Sequence, residues 1–239
     1  MIRSTTPTVP TLPGGLRRWL ALHGPSTTPY HDETQAVRRR RRIVVTATSV
    51  VGALLLALTL RTDVGSHAFY WYGALLAGCW IVGALLSGPL HLGGLDGRRH
   101  VLVPALLGGA AFAVFAVAAV VVRRVPSLEP LDDLVADVIS RADTGSLSLV
   151  VTVALVNGLA EELFFRGALY SAFGPHRPWL WSTVAYVVVT AATLNVMLVL
   201  AAAAMGTLFA LERRSTRGVL APVVTHLTWS LLMIFFLPR

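Results

Sequence analysis

The sequence predicts an all-α fold, a polytopic bundle of about seven transmembrane helices, and three observations predict it. Hydrophobic residues make up 55% of the 239 and charged residues only 13%, whereas soluble domains carry about 25% charge. Apolar runs of 16 to 24 residues recur along the chain, and about 20 helical residues cross a hydrocarbon core roughly 30 Å thick. These runs are rich in Ala, Leu and Val without the period-2 alternation of a membrane barrel, so helices are expected.

Residues 1–42 read as a flexible cytoplasmic tail ending in the cluster Arg38 to Arg42. It holds no apolar core of the length a secretory signal needs, although Leu16 to Leu22 suits a membrane surface. Residues 43–122 hold three accessory spans. The first, Ile43 to Leu60, follows the arginines directly, which sets the amino terminus inside. The second is Ala68 to Ser87, with Tyr70, Trp71 and Tyr72 as interface anchors. The third, Val101 to Val122, follows Arg98 and Arg99.

Residues 123–146 form an external loop. Arg123 and Arg124 break the charge rule there, but Glu129, Asp132, Asp133 and Asp137 fit an outer face. Leu131, Leu134, Val135, Val138 and Ile139 recur at the spacing of a short amphipathic helix. Residues 147–239 then supply four spans: Leu147 to Tyr170, Trp179 to Leu194, Val196 to Leu211 and Val219 to Leu237. Only Asn195 separates the fifth from the sixth, and both are short, so a re-entrant hairpin is an alternative. His176, Arg177, Arg213, Arg214 and Arg217 fall on the cytoplasmic side, and no internal repeat is evident.

The net charge of +8 sits at the ends of apolar runs, as topology signals do, and does not form a nucleic-acid surface. The expected partners are therefore a lipid bilayer and a membrane-associated protein or peptide, with no nucleic acid. Every basic residue is Arg and none is Lys, which with abundant Ala points to the plasma membrane of a GC-rich prokaryote. The single Cys79 excludes an intramolecular disulfide and a thiolate-rich zinc site.

Of the 12 acidic residues, only Glu161 and Glu162 lie deep in these spans, and Arg166 shares their helix. Each such group costs roughly 2.5 to 3.5 kcal/mol to insert, so all three must face protein, water or one another. Glu162 and Arg166, four apart, pair on one face of an α-helix. Glu161 is turned about 100° away, towards the face of Asn157, and stays available as a general base. His226 in the last span lies at matching depth, both groups being roughly 10 to 14 Å below the cytoplasmic surface at 1.5 Å rise per residue.

Glu161-Glu162-Leu-Phe-Phe-Arg166, followed by Gly167, resembles the E-E-x-x-x-R motif of the CAAX-protease and bacteriocin-processing family of intramembrane proteases. Gly206, Arg213, Arg214 and the Gly218-Val-Leu-Ala-Pro222 lead into His226 agree in order and spacing. The resemblance covers about Leu147 to Leu237 and makes the last four spans a protease-like core. It implies an endopeptidase in which Glu161 activates water, Glu162 and Arg166 support it, and His226 polarises the carbonyl or binds the oxyanion.

Two motifs depart from the family pattern. Where it has F-x-x-x-H this chain has Tyr186-Val-Val-Val-Thr190, and where it has H-x-x-x-N this chain has His226-Leu-Thr-Trp-Ser230. Thr190, Asn195 and Ser230 are supporting hydrogen-bonding candidates, but none replaces an imidazole as base or ligand. The cofactor is therefore left open: a glutamate-water mechanism needs none, and zinc normally wants three protein ligands. The alternative reading is a catalytically degenerate relative that binds or escorts a partner without cleaving it. A proton or ion pathway would need a continuous polar file, whereas these polar groups occupy one side of the bilayer.

Overall fold

The computed structural model describes residues 33–63, 65–93, 99–125, 127 and 146–237. Among them are seven helices: α1 (Gln35–Arg61), α2 (His67–Ser87), α3 (Arg99–Arg124), α4 (Leu147–Ala172), α5 (Pro178–Ala191), α6 (Val196–Thr216) and α7 (Leu220–Phe236). The all-α bundle is as the sequence predicts. Five of the helices are long and apolar enough to cross a membrane, which makes this a multi-pass membrane protein. At 14 and 17 residues, α5 and α7 rise only about 21 and 26 Å against a core of roughly 30 Å.

The boundary between the fifth and sixth runs differs from the expectation. Helix α5 stops at Ala191, and residues 192–195 make a turn in which Leu194 adopts a left-handed φ of 59°. Asn195 then caps α6, its Oδ1 accepting the N–H groups of Met197 and Leu198 at 3.0 and 3.2 Å. Helix α6 continues five residues past the expected end at Leu211, to Thr216. The amphipathic helix expected around Leu131 to Ile139 lies outside the described residues.

Helix α1 begins at Gln35, so Arg38 to Arg42 occupy its first turns. Arg41 is fully buried and donates to Glu33, to Ser87 Oγ at 3.2 Å and to Pro89 O at 2.9 Å. One of the five arginines is thus an internal strut between α1 and the end of α2. Helices α1 and α2 approach through Gly52, where an added Cβ would fall within the Trp80 indole. Small residues at such crossings are what association in lipid relies on.

Trp80 passes that contact inward. Its ring stacks on Phe164 at 4.7 Å and lies 5.0 Å from Phe165, both in α4. Val50, Leu54, Leu106, Val114, Val117 and Val188 point outward and exposed, as lipid-facing residues do. On the other flank α3 packs against α7, and Thr225 Oγ1 in α7 lies 3.0 Å from the carbonyl of Pro104 in α3. The spans ahead of α4 therefore buttress the last four.

Candidate active site

The local geometry of α4 changes where the acidic pair sits. From Glu162 to Leu169 the chain is a π-helix, a rare form frequent at functional sites. Side chains from outside bond two of its carbonyls: Arg213 Nε donates to Arg166 O at 2.9 Å and Ser171 Oγ to Gly167 O at 2.8 Å. Donors of that kind compensate a distorted helical ladder.

Glu162 and Arg166 pair as their spacing predicts. Arg166 Nη1 donates to Glu162 Oε1 at 3.2 Å, and both residues are fully buried. The other end of the guanidinium, Nη2, donates to Gly206 O at 3.1 Å. Its planar face lies 4.7 Å from the Tyr186 ring centroid and 5.0 Å from that of Phe209. Gly206 permits this approach, since a Cβ there would stand 3.1 Å from Tyr186 Cδ1 and 3.4 Å from Arg166 Nη2.

His226 completes the cluster from α7. Its Nδ1 is 2.9 Å from Glu162 Oε1, and its ring stacks on Phe209 with centroids 4.8 Å apart. Glu162 Oε1 accepts from Arg166, and an Nδ1–H of His226 donates to the same oxygen. The ring plane is thereby fixed, and Nε2 is left for other chemistry. Glu162 orients the imidazole.

Glu161 is separate from that pair but not remote from it. Its Oε2 accepts a hydrogen bond from the Tyr186 hydroxyl at 2.8 Å. Glu161, Tyr186, Thr190, Thr193, Phe209, His226 and Trp229 line one cavity of about 180 Å³ between α4, α5, α6 and α7. Several water molecules fit in that volume. A carboxylate and an imidazole therefore face a common space, with apolar Leu198, Ala202 and Met205 forming much of its remaining wall.

The supporting candidates separate. Thr190 lines the cavity, but its hydroxyl donates to the Tyr186 carbonyl at 2.9 Å. Asn195 is the α6 cap and is not among the lining residues, and neither is Ser230. Asn157 does not share the cavity with Glu161. Its Nδ2 donates to Gly73 O and Val153 O at 3.1 and 2.9 Å, tying α4 to α2.

Three participants were missed by sequence reasoning. Tyr186 was read as the first residue of a Tyr-x-x-x-Thr segment, without the bond its hydroxyl makes. Glu212, placed just beyond the sixth span, is a second buried acid beside Glu162, at 7% exposure, its Oε1 lying 2.7 Å from Thr225 Oγ1. Arg213, read as facing the cytoplasm, is buried, with its guanidinium 4.9 Å from the Tyr170 ring. The available signal was polar residues continuing the helical face of Gly206 beyond Leu211.

Among the described residues no three His, Cys, Asp or Glu side chains converge as a metal site. Glu162 Oε1 is occupied by Arg166 and His226 Nδ1, whereas Glu162 Oε2 has no hydrogen-bond partner among the described residues.

Apolar helices closing on a buried carboxylate and imidazole cluster define a polytopic helical membrane protein with a candidate hydrolytic site. Residues 143–232 match the family model described as Type II CAAX prenyl endopeptidase Rce1-like, which bears out the resemblance carried by the Glu161 motif. The matched segment holds all of α4 to α6 and most of α7, including each residue of the cluster. No curated protein and no solved structure matches the chain.

Proposed function

We propose that the chain is an intramembrane endopeptidase that hydrolyses a peptide bond of a membrane-associated protein or peptide. The observation that carries this reading is the shared cavity: Glu161 and His226, from α4 and α7, line the same space of about 180 Å³. Glu161 takes a proton from water as the oxygen attacks the scissile carbonyl. His226, oriented by Glu162 and Arg166, acts here as the imidazolium, its Nδ1–H on Glu162 and its Nε2–H polarising that carbonyl and stabilising the developing oxyanion. The protonated Glu161 then delivers its proton to the leaving amine.

The charge pattern favours a multi-pass protein with its amino terminus inside and cleavage near the cytoplasmic side, and the Arg-only, Ala-rich composition favours a prokaryotic plasma membrane. Purified full-length protein, given candidate membrane substrates, should cleave at a rate that Glu161→Ala abolishes. Unchanged turnover in that variant would remove the mechanism.

One set of observations favours a second reading, a degenerate relative that binds or escorts a partner. Thr190 replaces the family's histidine and commits its hydroxyl to Tyr186 O, while Ser230 replaces the asparagine and is not among the cavity residues. An escort would keep its cellular function when Glu161 becomes Gln; an endopeptidase would lose it.

A further inference from the structure

The polar groups lining the cavity differ in what they already hold. Thr190 gives its hydroxyl proton to Tyr186 O at 2.9 Å, Thr193 Oγ1 accepts the backbone N–H of Asn195 at 3.2 Å, and Trp229 Nε1 has no hydrogen-bond partner among the described residues. The Tyr186 hydroxyl is different, because its partner is the group that changes charge during the reaction: Glu161 Oε2, at 2.8 Å.

We propose that Tyr186 is a further catalytic residue, whose O–H stabilises Glu161 in the resting site and turns to the substrate oxyanion as the reaction proceeds. The inference rests on the reading of Glu161 as base. A hydrogen bond to an ionised carboxylate is roughly twice as strong as one to a neutral group. When Glu161 accepts the water proton, that advantage disappears at the moment negative charge arises on the former carbonyl oxygen.

The exchange needs no movement of the ring. The phenol is held against Phe165, with centroids 4.7 Å apart, and against the Arg166 guanidinium at 4.7 Å. Rotation about its C–O bond is enough to redirect the hydrogen. The water oxygen bonds to the carbonyl carbon, the C=O π pair moves onto oxygen, and the water proton goes to Glu161. Collapse breaks the C–N bond, the Glu161 proton goes to nitrogen, and the second hydroxyl proton of the tetrahedral intermediate leaves with the products to form carboxylate and ammonium. Tyr186 keeps its proton throughout and returns to the regenerated carboxylate.

The test uses full-length protein in phosphatidylethanolamine and phosphatidylglycerol nanodiscs with an internally quenched fluorogenic peptide library, apolar on both sides of the scissile bond. Tyr186→Phe retains the ring and its two contacts, so folding should be unchanged. It should lower kcat about 100-fold, the loss typical of one oxyanion donor, with KM little altered. Full turnover in Tyr186→Phe beside an inactive Glu161→Gln overturns the tyrosine role and leaves the base intact. Full turnover in Glu161→Gln overturns the base reading and the proposal together, as does an unaltered chain that cleaves nothing in the library. A substrate-free measurement is independent: the infrared carboxylate stretch that vanishes in Glu161→Gln should shift in Tyr186→Phe, and an unmoved band refutes the hydrogen bond.

Discussion

Replacing Arg166 by Met tests the buried cluster most directly, because it removes the guanidinium while keeping an apolar stem of similar length. Three interactions go at once: the 3.2 Å bond to Glu162, the 3.1 Å bond to Gly206 O and the stacking on Tyr186 and Phe209. The first dominates, since removing one partner of a buried ion pair costs about 3 to 5 kcal/mol by leaving the other charge uncompensated. The stacking adds on the order of 1 kcal/mol, less than additively. Reversible unfolding in mixed detergent micelles, read by tryptophan fluorescence, should report a loss of about 3 to 5 kcal/mol. Adding Glu162→Gln should recover more than half of it, because the stranded charge is then gone. A single variant costing below about 1 kcal/mol, or a double variant no better than the single, would refute the assignment of Glu162 as an ionised partner.

Thr225→Val keeps side-chain shape but deprives Pro104 O and Glu212 Oε1 of their shared hydroxyl; it should cost about 1 to 3 kcal/mol in the same unfolding assay, with Thr225→Ser restoring most of it. Asn195→Ala should cost about 1 kcal/mol by uncapping α6, while kcat on any cleaved peptide stays unchanged; a collapse of kcat at full stability would place Asn195 in the chemistry instead.

The parts of the fold set by local hydrophobic pattern were readable in advance, and the parts set by three-dimensional closure were not. Long apolar runs locate α1, α2, α3 and α4 to within several residues, because insertion cost alone dictates them. The end of α6 was misplaced because hydropathy stops at Leu211, whereas the helix continues for as long as Glu212 and Arg213 find internal partners in Thr225 and Arg166 O. Arg41 misled for the same reason: a charge at a span end suggests solvent, yet Glu33, Ser87 and Pro89 enclose this one. At the site, the pairing of Glu162 with Arg166 followed from spacing. The bond of the Tyr186 hydroxyl depends on how α5 turns back into α6, which no local pattern encodes, whereas Asn195 directly ahead of an apolar run is itself a helix-start signal.

The junction between the α-helical and π-helical parts of α4 falls between the two glutamates. In an α-helix adjacent side chains diverge by 100°, which would aim Glu161 at the face of Asn157 and away from the Glu162 partners. A helix closed by i to i+5 bonds has more residues per turn and a smaller angular step. Glu161 and Glu162 themselves keep α-region backbone angles, so that smaller step begins beyond them. Glu162 reaches His226 Nδ1 while Glu161, at the junction, faces the cavity that His226 also lines. A single imidazole thus has two carboxylates in its neighbourhood, Glu162 holding its Nδ1 and Glu161 lining the same cavity.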